Sequence, residues 1–185
     1  MKMSESGLKF LIEREGKVSS MYNDTAGHCT VGVGHLVHKG NCDYPSVSKE
    51  KGFIAESPYL DGTPNSTVKN LNMEKPFFKS LTGSKVMELL KEDVQKFEKT
   101  VINNVKITLN QTQFDALVSF SFNIGPSAFK NSTLLKLLNQ KKFKDVPSEM
   151  KRWIKETKDG KQVVNNGLIN RREKESSLFE SGKYN

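Results

Sequence analysis

The sequence predicts an α+β fold in which one amphipathic helix leads into a short β-bearing segment and then into a long run of helices. Three observations predict it. Leu8, Leu11 and Ile12 recur at helical spacing near the start. Residues 21–34 gather turn formers and glycines around an alternating stretch. From about Thr82 to the end, apolar residues return at helical spacing.

The first helix is expected from about Ser4 to Glu15, with Phe10 widening the apolar stripe and Ser4 or Ser6 capping its start. Gly16 is a stop signal and places Glu15 in the last turn. The negative end of the helix dipole disfavours a carboxylate there, and partial burial would disfavour it again. Both effects favour the protonated form, as a general acid working near neutral pH requires. The plainer reading is an exposed Glu that ends a helix.

Next, Met21-Tyr22 runs into Asn23-Asp24-Thr25-Ala26-Gly27, a turn by composition in which Gly27 suits a position of positive φ. Cys29-Thr30-Val31-Gly32-Val33-Gly34 alternates like a strand, and Gly32 and Gly34 would bare one of its faces to a ligand or another backbone. The third glycine of a dinucleotide fingerprint is missing, which argues against phosphate binding. Glu15, Asp24 and Thr30 thus bring two carboxyls and a hydroxyl to one short segment. Those are the working parts of an enzyme that cuts a glycosidic bond.

Glu15-Gly16 followed by Tyr22-x-Asp24-x-x-Gly27-x-x-Thr30-x-Gly32-x-Gly34-His35 closely resembles the active-site signature of phage-type lysozymes, glycoside hydrolase family 24. Gln113-Phe114-Asp115-Ala116-Leu117-Val118-Ser119-Phe120-Ser121-Phe122-Asn123-Ile124-Gly125 resembles the core helix of that family. Gly167-Leu168-x-x-Arg171-Arg172-x-x-Glu175-x-x-Leu178-Phe179 resembles its C-terminal Arg-rich helix. The resemblance implies a single lysozyme-like domain over residues 1–185, with a small β-containing lobe, a larger helical lobe and a cleft between them. The small lobe would span about 13–81, including an insertion at about 39–81; about 82–185 and the N-terminal helix would form the helical lobe.

The same resemblance implies roles. Glu15 matches the proton donor to the glycosidic oxygen, Asp24 the second carboxyl, and Thr30 the hydroxyl near the attacking water. His35 and Arg171 match a charged and hydrogen-bonding shell around the acid, and Asn123 a position that contacts sugar. The family is described as inverting, which would make Asp24 and Thr30 water positioners; a carboxyl separation of about 6.5–9.5 Å goes with inversion and about 5–5.5 Å with retention. The implied reaction is hydrolysis of the β-1,4 bond between N-acetylmuramic acid and N-acetylglucosamine in peptidoglycan. No cofactor and no metal are expected, and a monomer is expected. The setting would be that of a phage endolysin or of an antibacterial effector, the latter paired with an immunity or inhibitor protein that plugs the cleft. A lytic transglycosylase and a catalytically idle wall-binding module remain as alternatives.

Lys39 to Leu81 carries no family motif and has loop composition, with Pro45, Pro58, Pro64 and Pro76 among Ser, Thr, Asn and Gly. Its aromatics (Tyr44, Phe53, Tyr59, Phe77 and Phe78) argue for packing. It either enlarges the small lobe at one end of the cleft or is a packed insertion without a role. Beyond it, Thr82 starts a helix striped with Val86, Leu89, Leu90, Val94 and Phe97, and Thr108 or Asn110 caps the next, whose apolar surface is nearly continuous. Ser132-Thr133 opens another, Pro147 opens a helix through Trp153-Ile154, and Asn170 caps the last.

Composition sets outer bounds. Residues 1–100 hold 14 Lys plus Arg against 13 Asp plus Glu, whereas residues 101–185 hold 15 against 8, so almost all of the net +8 lies in the second half. A basic helical part is drawn to polyanions such as the bacterial envelope. The basic residues are scattered and no RNA-binding aromatic signature or zinc-finger spacing accompanies them, which argues against nucleic acid. No apolar run is long enough to span a bilayer, and Glu5, Lys9 and Glu13 interrupt any secretion-signal core. Action on the cell wall in the periplasm would then need a holin, a secretion machine or a larger fusion. Cys29 and Cys42 are the only cysteines, near His28, His35 and His38, without a metal-site spacing. Free thiols or an optional bridge are expected, and His28 is expected to be exposed in the turn.

Overall fold

The computed structural model describes residues 1–24, 26–39, 82–158 and 160–184. The readings made for the insertion at 39–81 therefore lie, Lys39 apart, outside the described residues. The chain divides into two compact units: Glu15–Glu92, and Met1–Arg14 together with Asp93–Asn185.

In the smaller unit, β1 (Val18–Asn23), β2 (Cys29–Gly32) and β3 (His35–His38) form an antiparallel sheet in chain order. The centre strand, β2, is buried along its whole length. Cross-strand partners are Tyr22 with Thr30 and Val31 with His35. The strand expected to continue to Gly34 stops at Gly32. Gly32 and Gly34 have φ of +69° and +74°, a left-handed backbone that other residues adopt only at a cost. The glycine pair therefore folds β2 back onto β3 instead of baring a strand face. Cys29 is buried and disulfide-bonded, so of the two expected states, free thiols or an optional bridge, it is in the bridged one; Cys42 lies outside the described residues.

In the larger unit the helix boundaries follow local capping. Ser4 caps α1 (Glu5–Glu15): its hydroxyl accepts the Gly7 N–H at 2.9 Å. Thr82 starts α2 (Gly83–Asn104), which runs from one unit into the other, and its hydroxyl accepts the Lys85 N–H at 3.2 Å. A reciprocal capping box between Asn110 and Gln113 opens α3 (Gln111–Ile124). Residues Phe114 to Ser121 of α3 are all buried, so this helix is enclosed on every side, and it packs along α7 (Asn166–Ser181). Between them come α4 (Pro126–Lys130), α5 (Thr133–Asn139) capped by Ser132, a 3-10 turn at Phe143–Asp145 and α6 (Val146–Met150). Phe10, Phe114, Leu117, Phe120, Phe129 and Leu134 are at most 1% exposed. Each side chain of that size contributes about 1.5–3 kcal/mol on burial.

Two helix boundaries differ from expectation. Pro147 does sit in the first turn of α6, but the helix ends at Met150 and does not reach Trp153-Ile154. The chain instead makes a hairpin of β4 (Lys155–Lys158) and β5 (Lys161–Val164), pairing Lys155 with Val164 and Lys158 with Lys161. The last helix is capped by Asn165, whose carboxamide oxygen accepts the Leu168 N–H at 3.1 Å; Asn170 lies inside it. No helix among the described residues is long and apolar enough to cross a membrane.

Candidate active site

Glu15 is the last residue of α1, and the left-handed Gly16 (φ +79°) turns the chain away from it toward β1. Its side chain is exposed. The expected partial burial is therefore absent, and Gly16, Lys17 and Val18 beyond the helix end are exposed as well.

Asp24 stands at the start of the turn between β1 and β2, and the turn is built around its carboxylate. Oδ1 accepts the backbone N–H groups of Ala26 and His28, each at 2.8 Å. The main chain closes the same turn, with Asp24 N–H donating to the His28 carbonyl and Gly27 N–H to the Asp24 carbonyl, both at 2.9 Å. Oδ2 lies 3.5 Å from the Thr30 hydroxyl, the limit of a hydrogen bond, while that hydroxyl donates to the His28 carbonyl at 3.2 Å. The N–H of His28 holds the Asp24 carboxyl below its usual range against desolvation, the next largest effect, with smaller help from the Ala26 N–H, the His28 charge and the Thr30 hydroxyl. Asp24 therefore stays an ionised acceptor with Oδ2 turned to the Thr30 side. His28 is half-buried, not exposed, since its backbone serves this turn from both sides.

Tyr22 links the two acids. Burial pushes its phenol up, and the nearby charges of Asp24 and Glu15 push it further. Both carboxylates are thus within electrostatic reach of one ring, which pairs across the sheet with Thr30. Tyr22 belongs to the quoted motif, yet sequence reasoning gave it no role. His35 opens β3, half-buried, opposite Val31.

Asn123 and Arg171 belong to the larger unit, where a buried ionic cluster joins α3 to α7. Glu175, fully buried, accepts from the Ser119 hydroxyl at 2.7 Å and from Arg171 Nε at 2.9 Å through Oε1, and from Arg172 through Oε2. Arg171 also donates to the Ser119 carbonyl at 3.2 Å. Arg172 donates from Nε to the Trp153 carbonyl at 2.9 Å and from a terminal nitrogen to the Asn123 carboxamide oxygen, and its guanidinium lies 4.9 Å from the Phe120 ring centre. Sequence reasoning left Arg172, Glu175 and Ser119 without roles. The spacing Arg171-Arg172-x-x-Glu175 was the available signal, because residues three and four apart share a helix face.

The phage lysozyme family model matches residues 12–175 of the chain. The endolysin of Salmonella phage P22 is 34% identical over 181 residues, covering 98% of this chain and 99% of that protein. The endolysin of Bacillus phage PZA is 32% identical over 184 residues, and the chain spans 56% of its length. Among solved structures, the endolysin of Escherichia coli O157:H7 phage FAHEc1 superimposes with a TM-score of 0.75 at 29% identity, covering 100% of this chain and 97% of that one.

Proposed function

The chain belongs to the phage lysozyme family of peptidoglycan-hydrolysing glycosidases, and on that premise we propose that Glu15 protonates the glycosidic oxygen while Asp24 and Thr30 seat the attacking water. The bond cleaved in this reading is the β-1,4 link between N-acetylmuramic acid and N-acetylglucosamine. The observation that carries it is the asymmetry of the Asp24 carboxylate. Oδ1 accepts two backbone N–H groups, whereas Oδ2 has, among the described residues, only a long contact to Thr30. An ionised oxygen with spare lone pairs can take a proton from water as that water attacks the sugar carbon. The Thr30 hydroxyl, its proton shared between the His28 carbonyl and, at longer range, Asp24 Oδ2, keeps lone pairs with which to hold the same water.

Glu15 has the complementary task. Proton donation to the leaving oxygen relieves the negative charge that would otherwise develop there as the bond breaks. The protein acts on the bacterial cell wall in this reading, as a phage endolysin released by a holin or as an effector delivered to the periplasm.

Mass analysis of muropeptides released from purified walls tests the reaction. Hydrolysis leaves a reducing end one water heavier than the anhydro end left by a transglycosylase, so anhydro products would replace hydrolysis with transglycosylation. Glu15→Gln should reduce the release of reducing ends by about 10²–10⁴-fold with an unchanged circular dichroism spectrum. Near wild-type turnover in that variant would remove Glu15 from the role of acid.

A further inference from the structure

We infer that Arg172 is a positioning residue that fixes the Asn123 carboxamide with its NH₂ turned outward, so that Asn123 donates to a hydrogen-bond acceptor on the glycan; this rests on the glycan-hydrolase reading above. The inference starts from what a guanidinium can do. Arginine has five N–H donors and no acceptor. Arg172 is 1% exposed and its fork is spread over three elements: the Trp153 carbonyl before β4, the Glu175 carboxylate on α7 and the Asn123 carboxamide oxygen on α3. It is clamped against the Phe120 ring, which itself meets Trp153 edge to face at 6.0 Å between ring centres. A guanidinium held at so many points cannot swing to suit its neighbour.

The neighbour must therefore suit it. If the Asn123 carboxamide flipped, its NH₂ would face Arg172 donor to donor. Only one orientation satisfies the pair, with Oδ1 bound to Arg172 and the amide nitrogen turned from it. That nitrogen donates to nothing among the described residues, and Asn123 is exposed at the last turn of α3. Its two N–H groups are thus what the side chain offers a ligand. In a wall glycan the matching partners are the acetamido carbonyl and the hydroxyl oxygens of the sugar. A carboxamide free to flip could accept as readily as donate; a pinned one discriminates.

Asn123→Asp separates this role from a structural one. Aspartate still accepts from Arg172, and more strongly, but it has no N–H to donate. With purified peptidoglycan as substrate, Asn123→Asp should raise KM about tenfold, the value of one lost hydrogen bond, with kcat and thermal stability close to wild type. An unchanged KM would overturn the donor role. Arg172→Lys, which cannot span three acceptors, should raise KM similarly in the wild-type background. It should leave KM unaltered where Asn123 is already Ala, whatever it costs in stability. Additive effects on KM would show that Arg172 does not act through Asn123. If the wild-type protein released no reducing ends at all, the hydrolase reading would fail separately. The side-chain NH₂ resonances of Asn123, followed by NMR while tri-N-acetylchitotriose is added, would still decide the matter: a shift lost in Arg172→Lys supports the inference, and no shift in the wild type ends it.

Discussion

Ser4 and Tyr184, 180 positions apart, bring their hydroxyl oxygens within 3.3 Å of each other over a single buried carboxylate, that of Asp115. Asp115 accepts the Ser4 N–H at 3.1 Å and the Ser4 hydroxyl through its two oxygens, the Gln111 amide at 2.8 Å and the Tyr184 hydroxyl at 2.6 Å. The residue that caps α1 is therefore itself tied to α3 and to the tail beyond α7. Asp115→Ala leaves these donors without their acceptor in a buried place. The expected loss is about 3 kcal/mol, read as a lower midpoint in chemical denaturation with an unchanged slope. A loss below about 0.5 kcal/mol would mean that the tie does not hold the chain ends.

The same tie sets an alkaline limit on stability. Burial, then the hydrogen bond to Asp115, raises the Tyr184 phenol above its ordinary value; the Ser4 hydroxyl opposes this, and the Asp115 charge adds a smaller rise. A group raised on folding keeps its proton in the native state after the unfolded chain has lost it. Its contribution is whole below the unfolded value of about 10 and fades as pH climbs through the higher native one. Unfolding free energy should therefore fall as pH rises beyond 10, and Tyr184→Phe should flatten that slope. Tyr22, raised by burial and by Asp24 and Glu15, adds a second such group, so the flattening is partial.

Gly7 offers a test in which two known effects oppose each other. It lies in the first turn of α1, where alanine is favoured over glycine by about 0.5–1 kcal/mol. An alanine Cβ there would stand 2.6 Å from Asp115 Cγ and Oδ2 and 2.9 Å from Met3 Cγ. Asp115 cannot withdraw without releasing Ser4 and Tyr184. Overpacking at about 1–3 kcal/mol is the larger quantity, so Gly7→Ala should lower the melting temperature. A rise in melting temperature would show that helix propensity prevails.

The helices were legible wherever capping and periodicity are local. Ser4, Thr82, Asn110 and Ser132 all sit just before their helices, and each cap is a hydrogen bond reaching three residues along the chain. Where tertiary structure overrides periodicity, the reading failed. Trp153 looked helical, but its carbonyl is bound by Arg172 and its ring meets Phe120, so it serves the core from outside any helix. The β4–β5 hairpin had a visible signal in Asp159-Gly160 between two polar runs, missed because neither run has an apolar face: the residues of both strands are exposed, with Val163 alone half-buried. At the candidate site, the closeness of Asp24 to Thr30 was legible because one turn spans the two. The cluster of Ser119, Asn123, Arg172 and Glu175 joins positions up to 56 apart, a distance over which local spacing says nothing.

The pH dependence of activity should report on Asp24. Its carboxylate is held low chiefly by the His28 N–H, and Thr30 makes the smallest of the contributions that lower it. A depressed carboxyl remains ionised until pH falls through its native value, so both its share of stability and its ability to accept a proton disappear at that acid edge. Thr30→Val removes one donor and leaves the two backbone N–H groups in place. The acid limb of kcat/KM should therefore move slightly to higher pH. The plateau should drop much further, by about 10–100-fold, because the water loses a partner in the transition state. Thr30→Ser restores the hydroxyl and should recover both. If Thr30→Ser is as impaired as Thr30→Val, the methyl group buried in β2 matters more than the hydroxyl, and the water-seating role passes to Asp24 alone.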